Sequence, residues 1–264
     1  MRQERTGKTQ PFYEIDHSEV KNVKVYPTRE KTTVAAAETI MREVHMNPTA
    51  TIVYATGETM VPVYANIAKE VLELNVSFAK TRAFHLDEYW PADPEKNASF
   101  SFVHYLRELV FTPFGLKSKN VYEIDGTVKN PEKFAREYGE SLRKQPVDLA
   151  ILGIGPGGHI GFNERGTPFT QRTFLATLSQ ETVVRDQDER GLSTPNQAIT
   201  LGIADILDAQ KIVLIAYGEK KGEYLKEALN GSISVNCPAS ALRLKSDKVT
   251  IMIDQEAASQ IDTP

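Results

Sequence analysis

One imidazole and one carboxylate follow a glycine-rich turn in the middle of the chain, where together they could move protons. Residues 147–152 form an apolar run that predicts a buried strand. The next nine residues contain five glycines, so the backbone there can approach a ligand closely. His159 and Glu164 then lie at the carboxyl end of that strand, the edge at which open α/β sheets bind ligands. Because a histidine can exchange a proton near neutral pH, this segment predicts a site for acid–base chemistry.

Two adjacent carboxylates, Asp87 and Glu88, follow another predicted strand over residues 82–86. Neighbouring side chains of a strand point to opposite faces, so one carboxylate can enter a cleft while the other does not. A carboxylate in such a cleft could remove a proton next to a carbonyl group. The alternative, which the residues alone leave open, is that the pair caps a helix or forms an acidic patch on the surface.

The turn formed by Thr56, Gly57, Glu58 and Thr59 lies between a predicted strand and a predicted helix. The N–H groups of such a turn, together with the helix dipole, can hold an anion such as a phosphate. The Glu58 carboxylate would repel a phosphate unless its side chain points away. An ordinary strand-to-helix turn is the alternative interpretation.

Two basic residues are candidate partners for the same anion. Lys221 lies in the first turn of a predicted helix, where a positive charge gains nothing from the helix dipole. Arg185 lies beside Asp186 and near Asp188, a pattern that by itself indicates charges on a solvated surface. The net charge of −4 gives no electrostatic case for binding nucleic acid, although local positive charge could serve a small anion.

Predicted strands alternate with predicted helices, which is typical of a mostly parallel sheet with helices on both faces. The predicted strands cover residues 23–26, 51–55, 82–86, 121–124, 147–152, 173–178, 211–217 and 248–254. The predicted helices cover residues 28–46, 61–74, 99–110, 131–144 and 218–230, with a short helical turn at 203–207. No linker divides the chain. We therefore expect residues 1–264 to form one doubly wound, Rossmann-like α/β domain of three layers, with residues 1–20 as an N-terminal arm.

Composition limits the class of protein further. The single cysteine, Cys237, excludes an internal disulfide framework and fits a reducing compartment. No apolar run approaches the ~20 residues of a membrane span, and the polar first ten residues lack the apolar region of a signal peptide. Cysteine and histidine residues show no spacing typical of metal ligands. We expect a cytoplasmic protein that binds no membrane, nucleic acid or metal.

Taken in order, these features resemble the glucosamine-6-phosphate deaminase (isomerase) family, whose wider superfamily includes 6-phosphogluconolactonase. The family's phosphate turn is similar to residues 55–59, its acidic signature to 86–89 and its central motif to 153–164. Its helix-opening serine is similar to Ser99. The end of the central motif, residues 159–164, resembles the deaminase branch more than the lactonase branch. The resemblance covers about residues 23–254 of the chain.

This resemblance implies an enzyme that converts a 2-amino-2-deoxyhexose 6-phosphate into a ketose 6-phosphate and ammonia. Asp87 would carry the proton between C2 and C1, while His159, supported by Glu164, would help to open the sugar ring. Substrate contacts are implied for Thr56, Gly57, Glu58, Thr59, Glu88, Gly155, Gly158, Arg185 and Lys221. The implied partner is a small-molecule sugar phosphate, and no metal or organic cofactor is required. Members of the family are monomers or larger assemblies, so the resemblance allows either a monomer or a homo-oligomer.

Three departures from the family pattern accompany the resemblance. Gly157 stands where the family usually has an Asp, two residues before the histidine. Glu58 stands where the family usually has Gly or Ser. Residues 174–176 read Phe-Leu-Ala where allosterically regulated members have an Arg-x-Lys pair. The last departure predicts no activation by N-acetylglucosamine 6-phosphate through that site.

Two alternative functions stay open from the sequence. A sugar-phosphate lactonase would use His159 as a general base and would need no proton transfer at C2. A sugar-phosphate sensor, with its catalysis impaired by the glycine at position 157, would bind without turnover and gain thermal stability from its ligand.

Overall fold

The computed structural model of the chain describes residues 9–17, 20–74, 76–190 and 193–261. Its strands are β1 (Tyr13–His17), β2 (Val20–Tyr26), β3 (Thr51–Tyr54), β4 (Arg82–His85), β5 (Asp87–Tyr89), β6 (Leu149–Leu152), β7 (Phe174–Thr177), β8 (Gln197–Thr200), β9 (Lys211–Ala216) and β10 (Val249–Asp254). Its α-helices are α1 (Arg29–Met46), α2 (Val61–Leu74), α3 (Phe102–Leu106), α4 (Pro131–Arg143), α5 (Gln180–Arg190), α6 (Ile203–Leu207), α7 (Glu219–Asn230) and α8 (Gln255–Ala258).

Seven strands form the larger sheet, in the order β1-β2-β10-β9-β6-β3-β4. Neighbouring strands are parallel from β2 to β4, and only β1 runs antiparallel at its edge. Every residue of β3 and β6 is buried, as are all but the first of β9, so both faces of the sheet are covered. The predicted α/β class and doubly wound, mostly parallel sheet are confirmed.

The order of the strands creates a crevice between β3 and β6. From β3 the chain passes through α2 to β4 on one side, whereas the next strand of this sheet after β6 is β9 on the other side. The loops that leave the carboxyl ends of β3 and β6 therefore diverge. Such a point of divergence is where open α/β sheets bind their ligands.

A second, antiparallel sheet of three strands, in the order β5-β8-β7, was not predicted. The strand predicted over residues 173–178 exists as β7, but it belongs to this small sheet and not to the parallel one. Residues 87–89, expected just past the end of a strand, form β5 themselves. The pairing of β5 with β8 brings Asp87 opposite Thr200 and holds the acidic pair beside the crevice.

Three further predictions about elements need correction. The prediction of an arm over residues 1–20 is wrong for residues 13–17, which form β1 and pair with β2. Residues 1–8 and 18–19 lie outside the described residues. The strand predicted at 121–124 is an isolated bridge from Val121 to Ala83, because the chain leaves the sheet edge at once. The helix predicted from Ser99 begins at Phe102, capped by Ser101, and continues past Leu106 as a π-helical turn.

Candidate active site

A cavity of about 200 Å³ lies at the carboxyl ends of β3 and β6, in the crevice between them. It brings together residues from distant parts of the sequence. Of the predicted site residues, those that line it are Thr56, Gly57, Glu58, Thr59, Asp87, Gly155, His159, Arg185 and Lys221. Three others, Glu88, Gly158 and Glu164, do not line the cavity and have different surroundings.

Asp87 is buried at the start of β5, and its backbone is fixed by a buried imidazole. The Ile124 N–H donates to Nε2 of His85 over 2.9 Å, so this nitrogen is the acceptor of the ring. The ring proton therefore lies on Nδ1, which is 3.0 Å from the Asp87 carbonyl oxygen. Burial lowers the pKa of His85 to about 4, which keeps the ring neutral.

Glu88 points away from the cavity, as the alternation of a strand requires. Its carboxylate accepts hydrogen bonds from the Ser101 hydroxyl and from the N–H groups of Tyr89, Phe102 and Val103, over 2.7 to 3.1 Å. Burial raises the pKa of this carboxyl, and these hydrogen bonds oppose the rise. The predicted substrate contact of Glu88 is corrected to a structural one, because both carboxylate oxygens are occupied at the start of α3.

His159 presents a neutral imidazole to the cavity. Burial, followed by the positive charges of Arg185 and Lys221, lowers its pKa to about 3. Its Nε2 lies 3.4 Å from Nη1 of Arg185, and a guanidinium can only donate. The ring proton therefore belongs on Nδ1, which lies 4.0 Å from Oε2 of Glu164. Nε2 is therefore an acceptor beside Arg185 in the cavity, while the Glu164 carboxylate behind the ring is too distant for a hydrogen bond to Nδ1.

Glu164 does not line the cavity, but lies beside the histidine on the side of α5. Its Oε1 accepts hydrogen bonds from the Thr182 hydroxyl over 2.6 Å and from the Ser179 N–H over 3.3 Å. The carboxylate thus connects the loop after β6 to the first turn of the helix that carries Arg185. Glu164 lies 4.0 Å from the imidazole, and its predicted support of His159 stays a prediction.

The basic end of the cavity combines a turn with two cations. Lys221 is the third residue of α7, and its Nζ donates to the Ile154 carbonyl over 2.7 Å, which directs the side chain across the cavity. The turn of residues 56–59 also lines the cavity, with Gly57 in the left-handed region at φ 101°. Glu58 lines the mouth of the cavity, but its side chain is exposed, so solvent screens its repulsion of an anion.

Asp186 is a cavity residue that the sequence did not predict. It is 2% exposed, and its Oδ1 accepts a hydrogen bond from Nε of Arg185 over 3.1 Å. Its Oδ2 accepts a short hydrogen bond from the Tyr89 hydroxyl. The pattern around Arg185 suggested a solvated surface, because one helix sequence cannot show that a strand of another sheet covers it. Polar contacts thus connect Tyr89 to Asp186, Asp186 to Arg185, and Arg185 to His159.

Two glycines of the central motif are needed for packing. A Cβ at Gly155 would collide with the His159 ring, so the backbone and the imidazole lie in direct contact. A Cβ at Gly158 would collide with the Cys237 sulfur. Gly158 does not line the cavity, and its packing against Cys237 explains why a glycine is needed here; its predicted substrate contact stays a prediction.

Gly157 has φ 66° and ψ 12°, a left-handed conformation that aspartate tolerates better than most residues. The atoms nearest to a Cβ at this position all belong to Arg165, with Nε at 2.5 Å. The Arg165 side chain is half-exposed and forms an ion pair with Glu227 over 3.1 Å. A longer side chain at position 157 would therefore extend towards a mobile cation and not directly onto the imidazole.

Within the described residues, no group of three or more His, Cys, Asp and Glu side chains is arranged to hold a metal ion. Among the same residues, no helix is both long enough and apolar enough to span a membrane.

Residues 27–251 match the family described as glucosamine-6-phosphate isomerases/6-phosphogluconolactonase. The chain belongs to this family. Among the deaminases of this family, the glucosamine-6-phosphate deaminase of Streptococcus pneumoniae serotype 2 is 38% identical over 229 residues, which cover 84% of this chain and 92% of that protein. The glucosamine-6-phosphate deaminase of Clostridium novyi is 34% identical over 231 residues, which cover 86% and 94%.

Solved structures in the family show the same architecture. A monomeric glucosamine-6-phosphate deaminase aligns with a TM-score of 0.85 at 33% identity, over 90% of this chain and 99% of that one. The 6-phosphogluconolactonase from Trypanosoma cruzi aligns with a TM-score of 0.74 at 20% identity, over 92% and 98%. The second likeness shows a shared fold alone. The family predicted from the motifs is confirmed, and the greater similarity is to its deaminase members.

Proposed function

We propose that this protein is an aldose–ketose isomerase and deaminase, which converts an amino-hexose 6-phosphate into a ketose 6-phosphate and ammonia. One observation carries the proposal: the Asp87 carboxylate and the neutral His159 face a single cavity that also holds the turn of residues 56–59, Lys221 and Arg185. Proton-transfer groups and an anion-binding end are thus within reach of one small molecule. The relatives named glucosamine-6-phosphate deaminase support the choice of substrate class.

His159 suits the opening of the sugar ring. Ring opening removes the proton of the C1 hydroxyl and delivers a proton to the ring oxygen. An imidazole that is already neutral can accept the first proton through Nε2 and then return it to the ring oxygen. Glu164, on the Nδ1 side at 4.0 Å, stabilises the imidazolium that forms between these two events.

Asp87 suits the transfer from C2 to C1. In the open-chain sugar its carboxylate removes the C2 proton while the C1 carbonyl oxygen takes up a proton, which leaves a C1–C2 enolamine. The carboxylate then delivers the C2 proton to C1 as the amine nitrogen gives up a proton, so that no net proton is gained or lost. The product is an imine at C2, which takes up water and releases ammonia to give the ketose. Such a transfer requires a well-positioned carboxylate, and the hydrogen bond from His85 to the Asp87 carbonyl fixes the backbone from which this carboxylate extends.

The turn and the two cations beside His159 would bind the 6-phosphate. The turn amides, the start of α2 and the cations of Lys221 and Arg185 give the sign of charge that a phosphate dianion requires. Binding there would fix the distance from the phosphate to the carbons that react. The substrate is therefore expected to need its phosphate for turnover and not only for affinity.

The test is release of ammonia from glucosamine 6-phosphate, coupled to detection of fructose 6-phosphate. We expect both products in equal amounts from the wild-type protein, and none above background from Asp87→Asn. His159→Ala should slow turnover by a smaller factor, of about 10²- to 10⁴-fold, because sugar rings also open without a catalyst. Asp188→Asn, on the exposed part of α5, is the matched control and should leave turnover unchanged.

Three outcomes separate the candidate functions. Turnover that persists in Asp87→Asn would contradict the assignment of that carboxylate. Hydrolysis of 6-phosphogluconolactone without release of ammonia from amino sugars would favour a lactonase. Stabilisation by sugar phosphates without any turnover would favour a sensor. A panel of amino-hexose phosphate epimers would then identify the preferred configuration.

A further inference from the structure

Three tyrosine hydroxyls from different parts of the fold donate to the carbonyl oxygens of the proposed phosphate turn. Tyr64, on α2, donates to the Ala55 carbonyl over 2.7 Å. Tyr105, on α3, donates to the Gly57 carbonyl over 3.0 Å. Tyr217, just after β9, lies 3.2 Å and 3.0 Å from the carbonyl oxygens of Glu58 and Thr59. The carbonyl oxygens of Gly57, Glu58 and Thr59, and that of Ala55 just before the turn, thus accept hydrogen bonds from these tyrosines.

Unlike the carbonyl oxygens, the N–H groups of the same turn are not bound by other parts of the protein that the structure describes. Among the described residues, the N–H groups of residues 56–59 donate to no protein acceptor, while the following N–H, of Met60, donates to the Gly57 carbonyl over 2.9 Å. Because these amides belong to a loop that lines the cavity, they are the groups left to face a ligand. A backbone segment with free donors and occupied acceptors has the polarity that an anion requires.

We propose that Tyr64, Tyr105 and Tyr217 are positioning residues that hold the turn in its anion-binding form. The proposal rests on the proposed function, since it assigns the phosphate to this turn. A peptide unit can rotate so that its carbonyl replaces its N–H at the cavity, and that rotation would turn an attractive dipole into a repulsive one. Each hydroxyl opposes the rotation by binding the carbonyl oxygen on the far side. Because the turn is already held in this conformation, binding of phosphate costs no free energy for rearranging it.

The three hydroxyls differ in accessibility. Tyr64 is fully buried and packs edge-to-face against Phe114, with 6.2 Å between ring centroids, so its replacement would also disturb the core. Tyr105 and Tyr217 are half-buried. The Arg29 guanidinium lies 4.4 Å from the centre of the Tyr217 ring and fixes its position from the solvent side. The last two tyrosines are therefore the ones to test.

The experiment compares Tyr105→Phe, Tyr217→Phe and the double variant with the wild type. Tyr122→Phe is the matched control, because that ring stacks on Phe84 at 4.2 Å, away from the turn. The dissociation constant of inorganic phosphate is measured by calorimetry, and KM and kcat are measured with glucosamine 6-phosphate. Each single variant should weaken phosphate binding and raise KM by about two- to tenfold, the effect of one neutral hydrogen bond. We expect kcat to change by less than about twofold.

The direct measurement of phosphate binding separates the two proposals. If the wild type binds phosphate and the variants bind it equally well, the positioning proposal is overturned while the proposed function stands. If the wild type binds no phosphate, or if its binding persists unchanged in Lys221→Ala and therefore lies outside this cavity, both proposals are overturned. If kcat falls as much as KM rises, the tyrosines only support the fold. Should the double variant fail to fold, the two single variants decide the question.

Discussion

At Arg185, a buried carboxylate competes with any anion that enters the cavity. Asp186 accepts from Nε of Arg185, and Tyr89 donates to the other oxygen of the same carboxylate. The guanidinium is therefore held in one direction, with Nη1 facing His159, and part of its charge is neutralised. Whether the position or the charge of Arg185 matters more for binding a phosphate can be decided by one substitution.

The Asp186→Asn variant should bind phosphate more tightly. The amide oxygen can still accept from Arg185, and the Tyr89 hydroxyl can accept from the amide NH2, but the negative charge that opposes a phosphate is gone. We expect KM for the amino-sugar phosphate to fall by about two- to fivefold, the effect of removing one charge at several ångströms in a partly solvated cavity. Steady-state kinetics at fixed ionic strength measure this change. A rise in KM would show instead that the carboxylate is needed to orient Arg185.

Asp188→Asn is the control for this substitution, since Asp188 lies on the same helix but is exposed. It removes the same charge from the protein without touching the cavity. Equal changes in both variants would indicate a long-range effect of net charge and not a local effect at Arg185.

At the scale of elements, the loop after β6 combines catalysis and packing within a few residues. Gly155 lies under the imidazole, Gly158 lies under Cys237, and Gly157 faces Arg165. Only at Gly157 are the neighbouring atoms part of a long, flexible side chain, that of Arg165, which could move aside. The loop can therefore tolerate a longer residue at position 157, whereas Gly155→Ala and Gly158→Ala would displace the histidine and the cysteine.

Gly157→Asp, which restores the usual family residue, should change kcat by less than about threefold. Its carboxylate would extend towards Arg165 and compete with Glu227 for that cation. The left-handed backbone costs about 1 kcal/mol of stability for a non-glycine residue, and the new ion pair offsets part of it. Turnover and thermal melting, compared with Gly157→Asn, measure both effects. A gain in kcat of tenfold or more would show that the carboxylate reaches the His159 ring.

The sequence predicted the elements of the parallel sheet well, because apolar runs such as residues 211–217 have no alternative to burial. It also indicated most of the groups around the cavity, since these follow directly after strands. It could not predict the small sheet, because a three-residue strand such as β5 is determined by its partner β8 and not by its own pattern. For the same reason Asp186 and Tyr89 were missed: their contact joins α5 to a strand distant in sequence.

At the scale of the whole molecule, two buried neutral histidines make the protein sensitive to acid. Burial lowers the pKa of His159 from 6.5 to about 3 and that of His85 to about 4. Between these values and 6.5 the unfolded chain binds protons that the folded chain does not. The free energy of unfolding therefore decreases as the pH falls. Their contribution to stability is fully present above about pH 6.5 and is lost as the pH falls towards 4 and below.

We expect the protonation equilibrium of each of these histidines to lower the free energy of unfolding by about 2 kcal/mol between pH 7 and pH 5. Urea unfolding of the wild type and of His85→Gln, at several pH values, measures the effect. The glutamine variant should be less stable at pH 7, because the contacts to Asp87 and Ile124 change. Its stability should nevertheless decline less steeply with acid. Parallel curves for the two proteins would contradict the assignment of a neutral His85.

N-acetylglucosamine 6-phosphate should not activate this protein through the site that some family members use. The positions of the Arg-x-Lys pair hold Phe174 and Ala176, in β7, and both pack against the apolar cluster of the small sheet. Neither of these two side chains offers a positive charge to a phosphate. Saturation curves for the amino-sugar phosphate should have the same shape with and without the N-acetylated sugar. A shift of the curve would point to a binding site elsewhere on the protein.

The contact between Gly158 and Cys237 makes the lone thiol a native reporter of motion in the histidine loop. Cys237 is 3% exposed, and burial raises its pKa to about 11, so a thiol reagent can reach and ionise it only when the surrounding structure opens. The rate of labelling by a disulfide reagent therefore measures how often that opening occurs. Saturating inorganic phosphate should slow the labelling if anion binding tightens the loop, and an unchanged rate would show that the loop opens independently of the anion.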